Sequence, residues 1–154
     1  MSLLENYKTE EETLKKAKSL QVQDLDLFIA SYPKSGTTWL QAVCFSLLRL
    51  DKASEELELE HISEYAPFLE VDRSWEDTRE PSLKSKYNEA HKRLGRRMFN
   101  THVLPEHLPD NGLVIYIVRD PRDVCLSFYH HLSNQIEDGG DDFGSFENFT
   151  KLLS

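Results

Sequence analysis

The sequence predicts an α/β fold in which helices cover both faces of a central parallel sheet. Two segments support this prediction, residues 25–48 and 113–134, because in each a short apolar run is followed by a polar turn and then by a helical pattern. Chains that alternate strands and helices in this way build three-layer structures. Since ligands bind beyond the carboxyl ends of parallel strands, the two polar turns are candidate sites.

The composition suits a single domain over residues 1–154. Hydrophobic residues make up 39% and charged residues 29%, and the formal net charge is -9. Because nucleic-acid binding needs a broad basic surface, this charge argues against a nucleic-acid partner and leaves room for a local basic pocket. The first twenty residues are charged throughout, unlike a signal peptide, and the longest apolar run is too short to span a bilayer. We expect no membrane partner and a cytoplasmic location.

The first elements are a helix, a strand and a second helix. Residues 7–20 carry lysines and glutamates at helical spacing and predict a solvated N-terminal helix within a lead-in, residues 1–20. Residues 25–32 predict a strand, which residues 33–36 end. From Thr37 onward the apolar residues recur every three or four positions, as on the buried face of a helix. Those residues are Leu40, Val43, Cys44, Leu47 and Leu48.

The middle of the chain has a weaker pattern. Residues 51–64 are acidic and predict a solvated loop and helix face. Residues 84–97 hold six Lys and Arg residues against one acid, and we interpret them as an exposed helix, with an anion contact as the alternative. A short strand is predicted over residues 97–101. PDNG, residues 109–112, is strong turn chemistry.

The second strand-to-helix unit starts at residue 113. Residues 113–119 are almost continuously apolar, which is typical of a strand covered on both faces. Asp120 suits the N-cap of the next helix and Pro121 its first position, and we expect that helix to reach about Asn134. An acidic loop, residues 137–142, then separates it from a last helical segment.

We expect the two cysteines and the adjacent histidines to have no catalytic role. Cys44 and Cys125 both fall on apolar stretches of predicted helices and are expected to be reduced and buried. His130 and His131 are adjacent on a helix and point in different directions, so we interpret both as structural or exposed. The sequence shows no cluster with metal-ligand spacing, and we expect no metal.

The turn after the first strand has the features of a phosphate-binding loop. In SYPKSGTTWLQ, residues 31–41, a helix start leaves backbone N–H groups unpaired, and Gly36 lets an anion approach them. Lys34 adds a mobile charge, while Thr37 and Thr38 add hydroxyl donors. A tight turn with an exposed lysine is the alternative. The lysine precedes the glycine, and no G-x-x-x-x-G-K-[ST] pattern occurs, so this is not the common nucleoside-triphosphate loop.

A second anion contact is predicted at the end of the next apolar strand. Arg119 would open toward the same rim as Lys34 if the two strands are neighbours, and Ser127 would add a donor from the following helix. Arginine holds phosphate through two parallel hydrogen bonds. The alternative is a surface ion pair between Arg119 and Asp120 or Asp123.

Taken together, the motifs resemble those of the cytosolic sulfotransferase family. YPKSGTTW is followed about eighty residues later by VIYIVRDPRDVCLSFYHH. Between them, NTHVLPEHLP resembles the family's short catalytic segment and YAPFLE its acceptor-side loop. The resemblance covers roughly residues 20–150. It implies an incomplete P-loop-like three-layer α/β/α domain that uses 3'-phosphoadenylyl sulfate (PAPS) as sulfuryl donor and releases 3',5'-adenosine bisphosphate (PAP). The acceptor would be a hydroxyl or amine of a small-molecule alcohol, phenol or amine.

The resemblance also implies a role for each matching residue. His102 would be the general base, and Lys34 would be catalytic as well as donor-binding. Arg119 and Ser127 would hold the 3'-phosphate of the donor. The 5'-phosphate would lie in a loop of six residues, with Trp39 stacked on the adenine: Lys34, Ser35, Gly36, Thr37, Thr38 and Trp39.

On the acceptor side, the resemblance implies a pocket lined by Tyr65, Pro67 and Phe68. Core packing is the alternative for all three. Asn100 would also face the acceptor, and it stands two residues before His102, where many family members carry a lysine. An amide at this position can hydrogen-bond a sulfate oxygen but brings no charge.

Length is the larger departure, because the chain stops at Ser154 where the family continues for about as many residues again. We therefore expect a fragment or short form with weak nucleotide binding and poor turnover, and a homodimer only if the missing C-terminal half is present. Two other functions stay open. One is a truncated nucleotide-binding module without turnover. The other is a P-loop phosphotransferase, in which Asp120 would bind magnesium.

Overall fold

Both strand-to-helix units predicted from the sequence are present in the computed structural model, which describes residues 11–50, 59–70, 89–134 and 143–153. Predictions for residues 7–10, 51–58, 84–88 and 137–142 lie outside the described residues. The helices are α1 (Glu11–Lys18), α2 (Thr37–Arg49), α3 (Pro121–Ser133) and α4 (Phe146–Leu153). The strands are β1 (Leu27–Ser31), β2 (Met98–Thr101) and β3 (Leu113–Ile117), with 3-10 turns at Ile62–Glu64 and Pro105–His107.

The three strands form one parallel sheet in the order β2-β1-β3. Leu27 at the start of β1 is level with Met98 of β2 and Leu113 of β3. The predicted α/β class with a parallel sheet is confirmed. Since β1 is the middle strand, the loop that follows it lies between the ends of the other two.

Two apolar layers enclose β1, because successive side chains of a strand point to opposite faces. One layer joins Leu27, Ile29 and Met98 to Cys44 and Phe45 of α2. The opposite layer includes Phe28, Ala30, Phe99, Ala17 and Leu20. Helices therefore cover both faces of the strand from which the predicted phosphate loop departs.

The charge pattern predicts a solvated N-terminal helix, but one face of α1 is buried. Ala17 is 1% exposed and Leu14 packs against the second apolar layer. These residues, with the buried Thr13, recur at helical spacing and form a narrow stripe among the charges of α1. Glu11, Lys15 and Lys18 are exposed on the other faces of the helix.

The prediction that the strand over residues 113–119 is covered on both faces is wrong for the described residues. Leu113, Val114, Ile115 and Tyr116 are 39–49% exposed. The reason is topological: β3 is the outer strand of the described sheet, and α2 packs chiefly against β1.

The described part of the basic segment, residues 89–97, is only partly exposed. Residues 89–94 are helical and bury Ala90, His91 and Leu94. Arg97 pairs with Asp26, which is 1% exposed, and its guanidinium lies 5.3 Å from the centre of the Phe99 ring. This ion pair joins the beginnings of β1 and β2.

Both cysteines are free thiols, but they differ in burial. Cys44 is buried, as predicted, whereas Cys125 is only half-buried because its side of α3 faces an open cavity. Along the described ranges, no helix has the length and apolar character that crossing a bilayer requires.

Candidate functional site

The predicted phosphate loop joins β1 to α2 through an unusual backbone path. Lys34 has a φ of 64° and Gly36 a φ of 107°, both in the left-handed region. Gly36 is the N-cap of α2 and no side chain caps the helix there. The first N–H groups of α2 are therefore available to an anion, and the helix dipole favours negative charge at this end.

The two cationic contacts predicted from separate motifs meet in the structure. Because β1 and β3 are neighbours, their carboxyl ends lie side by side, and Arg119 Nη1 donates a hydrogen bond of 3.0 Å to the carbonyl oxygen of Lys34. The alternative ion pair with Asp123 is long, at 3.9 Å, and exposed. Such pairs contribute less than about 1 kcal/mol.

Asp120, the other acid considered as a partner of Arg119, interacts with Arg122 instead. Its carboxylate accepts hydrogen bonds from the backbone N–H and the guanidinium of Arg122 at 2.7–3.0 Å, and it caps α3 as predicted. These bonds lower the pKa of the Asp120 carboxyl. In the described residues we find no group of three or more His, Cys, Asp and Glu side chains able to hold a metal ion.

His102 follows β2 directly, and both its ring and its backbone are held. The 2.8 Å contact between Nδ1 and the carbonyl oxygen of Ser31 makes Nδ1 the donor, because a carbonyl only accepts. The neutral ring then carries its lone pair on Nε2. Burial lowers the pKa of His102, the nearby charge of Lys34 lowers it further, and hydrogen bonds to Ser31 and Thr101 oppose these effects. A neutral imidazole of this tautomer can accept a proton on Nε2 at pH 7.

The charge of Lys34 affects the pKa of other groups near the loop. Partial burial lowers the pKa of its own ammonium. Its charge also lowers the pKa of His131 on α3, after the larger effect of desolvation. His131 is exposed, as predicted, but it lies within the electrostatic reach of the loop, which adjacency in sequence could not indicate.

A cavity of about 640 Å³ opens beside the carboxyl ends of β1 and β3. Its wall includes Ser35, His102 and Arg119, so it unites residues from all three predicted motifs. Apolar and aromatic side chains form much of the rest, among them Tyr32, Leu104, Tyr116, Val124, Phe128 and Phe149. Sequence reasoning missed Tyr32 and Phe128, although both adjoin motif residues; their rings meet at 6.2 Å.

Other predicted donor contacts lie outside this wall. Trp39 is 71% exposed on α2, and Ser127 is half-buried on α3. Thr37 is buried at the start of α2, whereas Thr38 is exposed. Ser35 lines the cavity, whereas Lys34 and Gly36 beside it are not part of the wall.

The four predicted acceptor-side residues separate into different environments. Tyr65 is fully buried, donates its hydroxyl to the carbonyl oxygen of Arg96, and packs against the rings of Phe45 and His91; burial raises its pKa. Pro67 is also fully buried. Phe68 meets the His102 ring edge-on at 5.0 Å. Asn100 leaves Oδ1 buried without a hydrogen-bond partner. Of the four, Phe68 is the one whose ring contacts the predicted base.

Comparison with known proteins places these features in a family. Residues 24–152 match the family model described as "Sulfotransferase domain". Luciferin sulfotransferase of Photinus pyralis is 33% identical over 165 residues, covering 96% of this chain and 42% of the relative. Cytosolic sulfotransferase 7 of Arabidopsis thaliana is 34% identical over 140 residues, covering 84% of this chain and 41% of the relative.

A solved structure gives the same result. Mouse sulfotransferase SULT7A1, crystallised with PAP, superimposes with a TM-score of 0.57 at 28% identity, over 94% of this chain and 46% of that one. The chain thus spans less than half the length of these relatives. The family model matches well over half of the chain, so the resemblance inferred from the motifs is confirmed, and the chain belongs to the sulfotransferase domain family.

Proposed function

We propose that this chain is one partial sulfotransferase domain that binds PAPS and transfers its sulfuryl group to a hydroxyl or amine of a small molecule. The observation that carries the proposal is the meeting of three features at the carboxyl ends of the strands, where one cavity includes Ser35, His102 and Arg119 in its wall. These features are the uncapped start of α2 beside Lys34, the guanidinium of Arg119, and the oriented imidazole of His102.

For the donor, we assign the 5'-phosphate to the loop from Lys34 to Thr38 and the 3'-phosphate to Arg119 and Ser127. The open N–H groups after Gly36 and the contact of Arg119 with the loop support this assignment. The mouse relative was solved with PAP, which is the product of such a donor. Trp39, with 71% of its surface exposed, would offer its face to the adenine.

For the chemistry, His102 Nε2 takes the proton of the acceptor hydroxyl while the hydroxyl oxygen attacks sulfur. The bond between sulfur and the bridging phosphate oxygen breaks, and PAP leaves with the electron pair. General-base help of this kind contributes roughly 10²–10⁴ in rate. Lys34 and the loop N–H groups face the charge that grows on the leaving phosphate, and one such donor contributes about 3–4 kcal/mol.

For the acceptor, we propose a small molecule that enters beside His102 and Phe68. The apolar wall of the cavity and the ring contact between these two residues support that position. One relative is named for luciferin, which is consistent with a small-molecule acceptor. The relatives named as cytosolic sulfotransferases support a cytoplasmic setting.

The test is sulfuryl transfer from radiolabelled PAPS to a panel of phenols, sterols and amines, with PAP binding measured by calorimetry. Lys34→Ala should weaken binding and transfer, whereas His102→Ala should reduce transfer and leave binding intact. Matched controls are Lys92→Ala and His130→Ala, both at exposed positions.

Three outcomes would contradict parts of this proposal. Full transfer by His102→Ala would remove the base assignment. PAP binding without transfer to any acceptor would instead identify a nucleotide-binding module without turnover, and magnesium-dependent consumption of ATP would identify a phosphotransferase.

A further inference from the structure

A carboxylate lies buried under the backbone of His102. Glu70 is 6% exposed, and its Oε1 accepts a hydrogen bond from the His102 N–H. Burial raises the pKa of the Glu70 carboxyl, while hydrogen bonds from His102 and from the Thr101 side chain oppose that rise. Burying a carboxyl group costs free energy, and these hydrogen bonds offset part of that cost.

Strand pairing brings Glu70 to this place. Phe68 forms a parallel bridge with Asn100; the Asn100 N–H donates to the carbonyl oxygen of Pro67 at 3.0 Å, and the Leu69 N–H donates to the carbonyl oxygen of Asn100 at 2.8 Å. The segment before Glu70 therefore runs along β2 as far as residue 100. Glu70 arrives where β2 ends and the chain turns at His102.

His102 needs such a partner because it lies one residue beyond the strand. Its N–H has left the ladder of the sheet, and a buried N–H without a partner costs as much as a lost hydrogen bond. Glu70 supplies the acceptor on one side, and the bond from Nδ1 to Ser31 fixes the ring on the other. Backbone and side chain of His102 are thus held by two different segments.

We propose that Glu70 is a positioning residue that holds the turn after β2, so that the His102 ring stays on Ser31 with Nε2 directed to the cavity. The step from ring position to catalysis rests on the proposed function, but the ring position is independent of it. A misplacement of about 1 Å costs on the order of 10²-fold in rate. The acceptor atom Oε1, not the charge of the carboxylate, is the feature that the turn requires.

The experiment compares Glu70→Gln, Glu70→Asp and Glu70→Ala in the full chain. Glutamine keeps the acceptor and the length but removes the charge, whereas aspartate keeps the charge and shortens the side chain. The readout is the NMR titration of the His102 imidazole, alongside PAP binding and sulfuryl transfer. Assignment of the resonance uses His102→Gln.

Position and charge move the His102 pKa in opposite directions. In the parent chain it lies below 6.5 because the ring is buried. If Glu70 positions the ring, Glu70→Asp and Glu70→Ala release the ring to solvent and raise this pKa toward 6.5, while Glu70→Gln leaves it at or below the parent value. Sulfuryl transfer should fall about 10²-fold in Glu70→Asp and Glu70→Ala. PAP binding should be unchanged in all three.

Two results would overturn the inference. One is a His102 pKa in Glu70→Asp and Glu70→Ala that stays at or below the parent value. The other is a loss of transfer in Glu70→Gln and Glu70→Ala with transfer kept in Glu70→Asp, which would mean that charge, not position, is what matters. If Glu70→Ala does not fold, the comparison of Glu70→Asp with Glu70→Gln tests the inference. A raised pKa with unchanged transfer would support the positioning role and remove the base role of His102 instead.

Discussion

At the scale of single residues, two glycines with similar φ angles have different surroundings. Gly36 has a φ of 107° and Gly112 a φ of 104°. A Cβ at Gly36 would meet nothing within 4 Å, whereas at Gly112 it would lie 2.6 Å from Cε2 of Phe28. At Gly36, the backbone conformation alone favours glycine. At Gly112, both the backbone conformation and the packing of Phe28 favour it.

Alanine substitution should separate these effects. Gly36→Ala should cost about 1–2 kcal/mol, because a side chain disfavours the left-handed region. Gly112→Ala should cost about 1–3 kcal/mol more, since the Phe28 ring must also move. Urea unfolding measures both costs. PAP binding should weaken in Gly36→Ala and not in Gly112→Ala, and equal losses of binding would argue against an anion site at Gly36.

At the scale of elements, the structure is held together by contacts that cross between segments distant in sequence. His91, in the helical residues 89–94, contacts the carbonyl oxygen of Tyr65 through Nε2 at 2.7 Å and meets the Tyr65 ring edge-on at 4.9 Å. It is 8% exposed. Burial lowers its pKa, with a smaller contribution from Arg97. The helical segment and the YAPFLE segment are thus joined by a neutral imidazole.

This contact predicts how stability depends on pH. Because the folded pKa of His91 lies below that of the unfolded chain, near 6.5, its contribution is fully present above pH 6.5 and is lost as the pH falls below it. His91→Gln should therefore reduce the loss of unfolding free energy between pH 7 and pH 5. His61→Gln, at an exposed histidine, is the control. An unchanged pH dependence in His91→Gln would contradict the prediction.

At the scale of the whole molecule, the strand order decides both the site and an exposed apolar surface. With β1 in the centre, its last residue, Ser31, contacts His102 after β2, and the loop that follows contacts Arg119 after β3. The same order leaves β3 at the outside of the described sheet, where Val114 and Tyr116 are each 47% exposed. Exposed apolar edge strands promote association with other chains.

We expect this chain to associate with itself in a concentration-dependent manner through β3. Val114→Lys should reduce association, because a lysine on an edge strand disfavours pairing with a second strand. Sedimentation velocity across a concentration series measures the effect. Asn111→Lys adds the same charge just before the strand and should change association little. If both variants behave alike, net charge and not β3 is responsible.

Local patterns in the sequence specify the elements and the chemical groups that they carry. The run of residues 113–119, the change of period at Thr37 and the Asp120 cap are local signals, and each predicted its element correctly. The family, too, follows from short motifs in order. Local patterns suffice here because strands, helix starts and anion loops are specified by residues close together in the chain.

Tertiary structure alone decided which elements are neighbours and what lies between them. The exposure of β3, the burial of Tyr65 and the anchoring of His102 by Glu70 all depend on strand order and on pairing between segments far apart in sequence. No local pattern specifies such pairing, because the free energy of a buried contact depends on what packs against it. The sequence therefore predicted the groups of the candidate site, and the fold determined which of them meet.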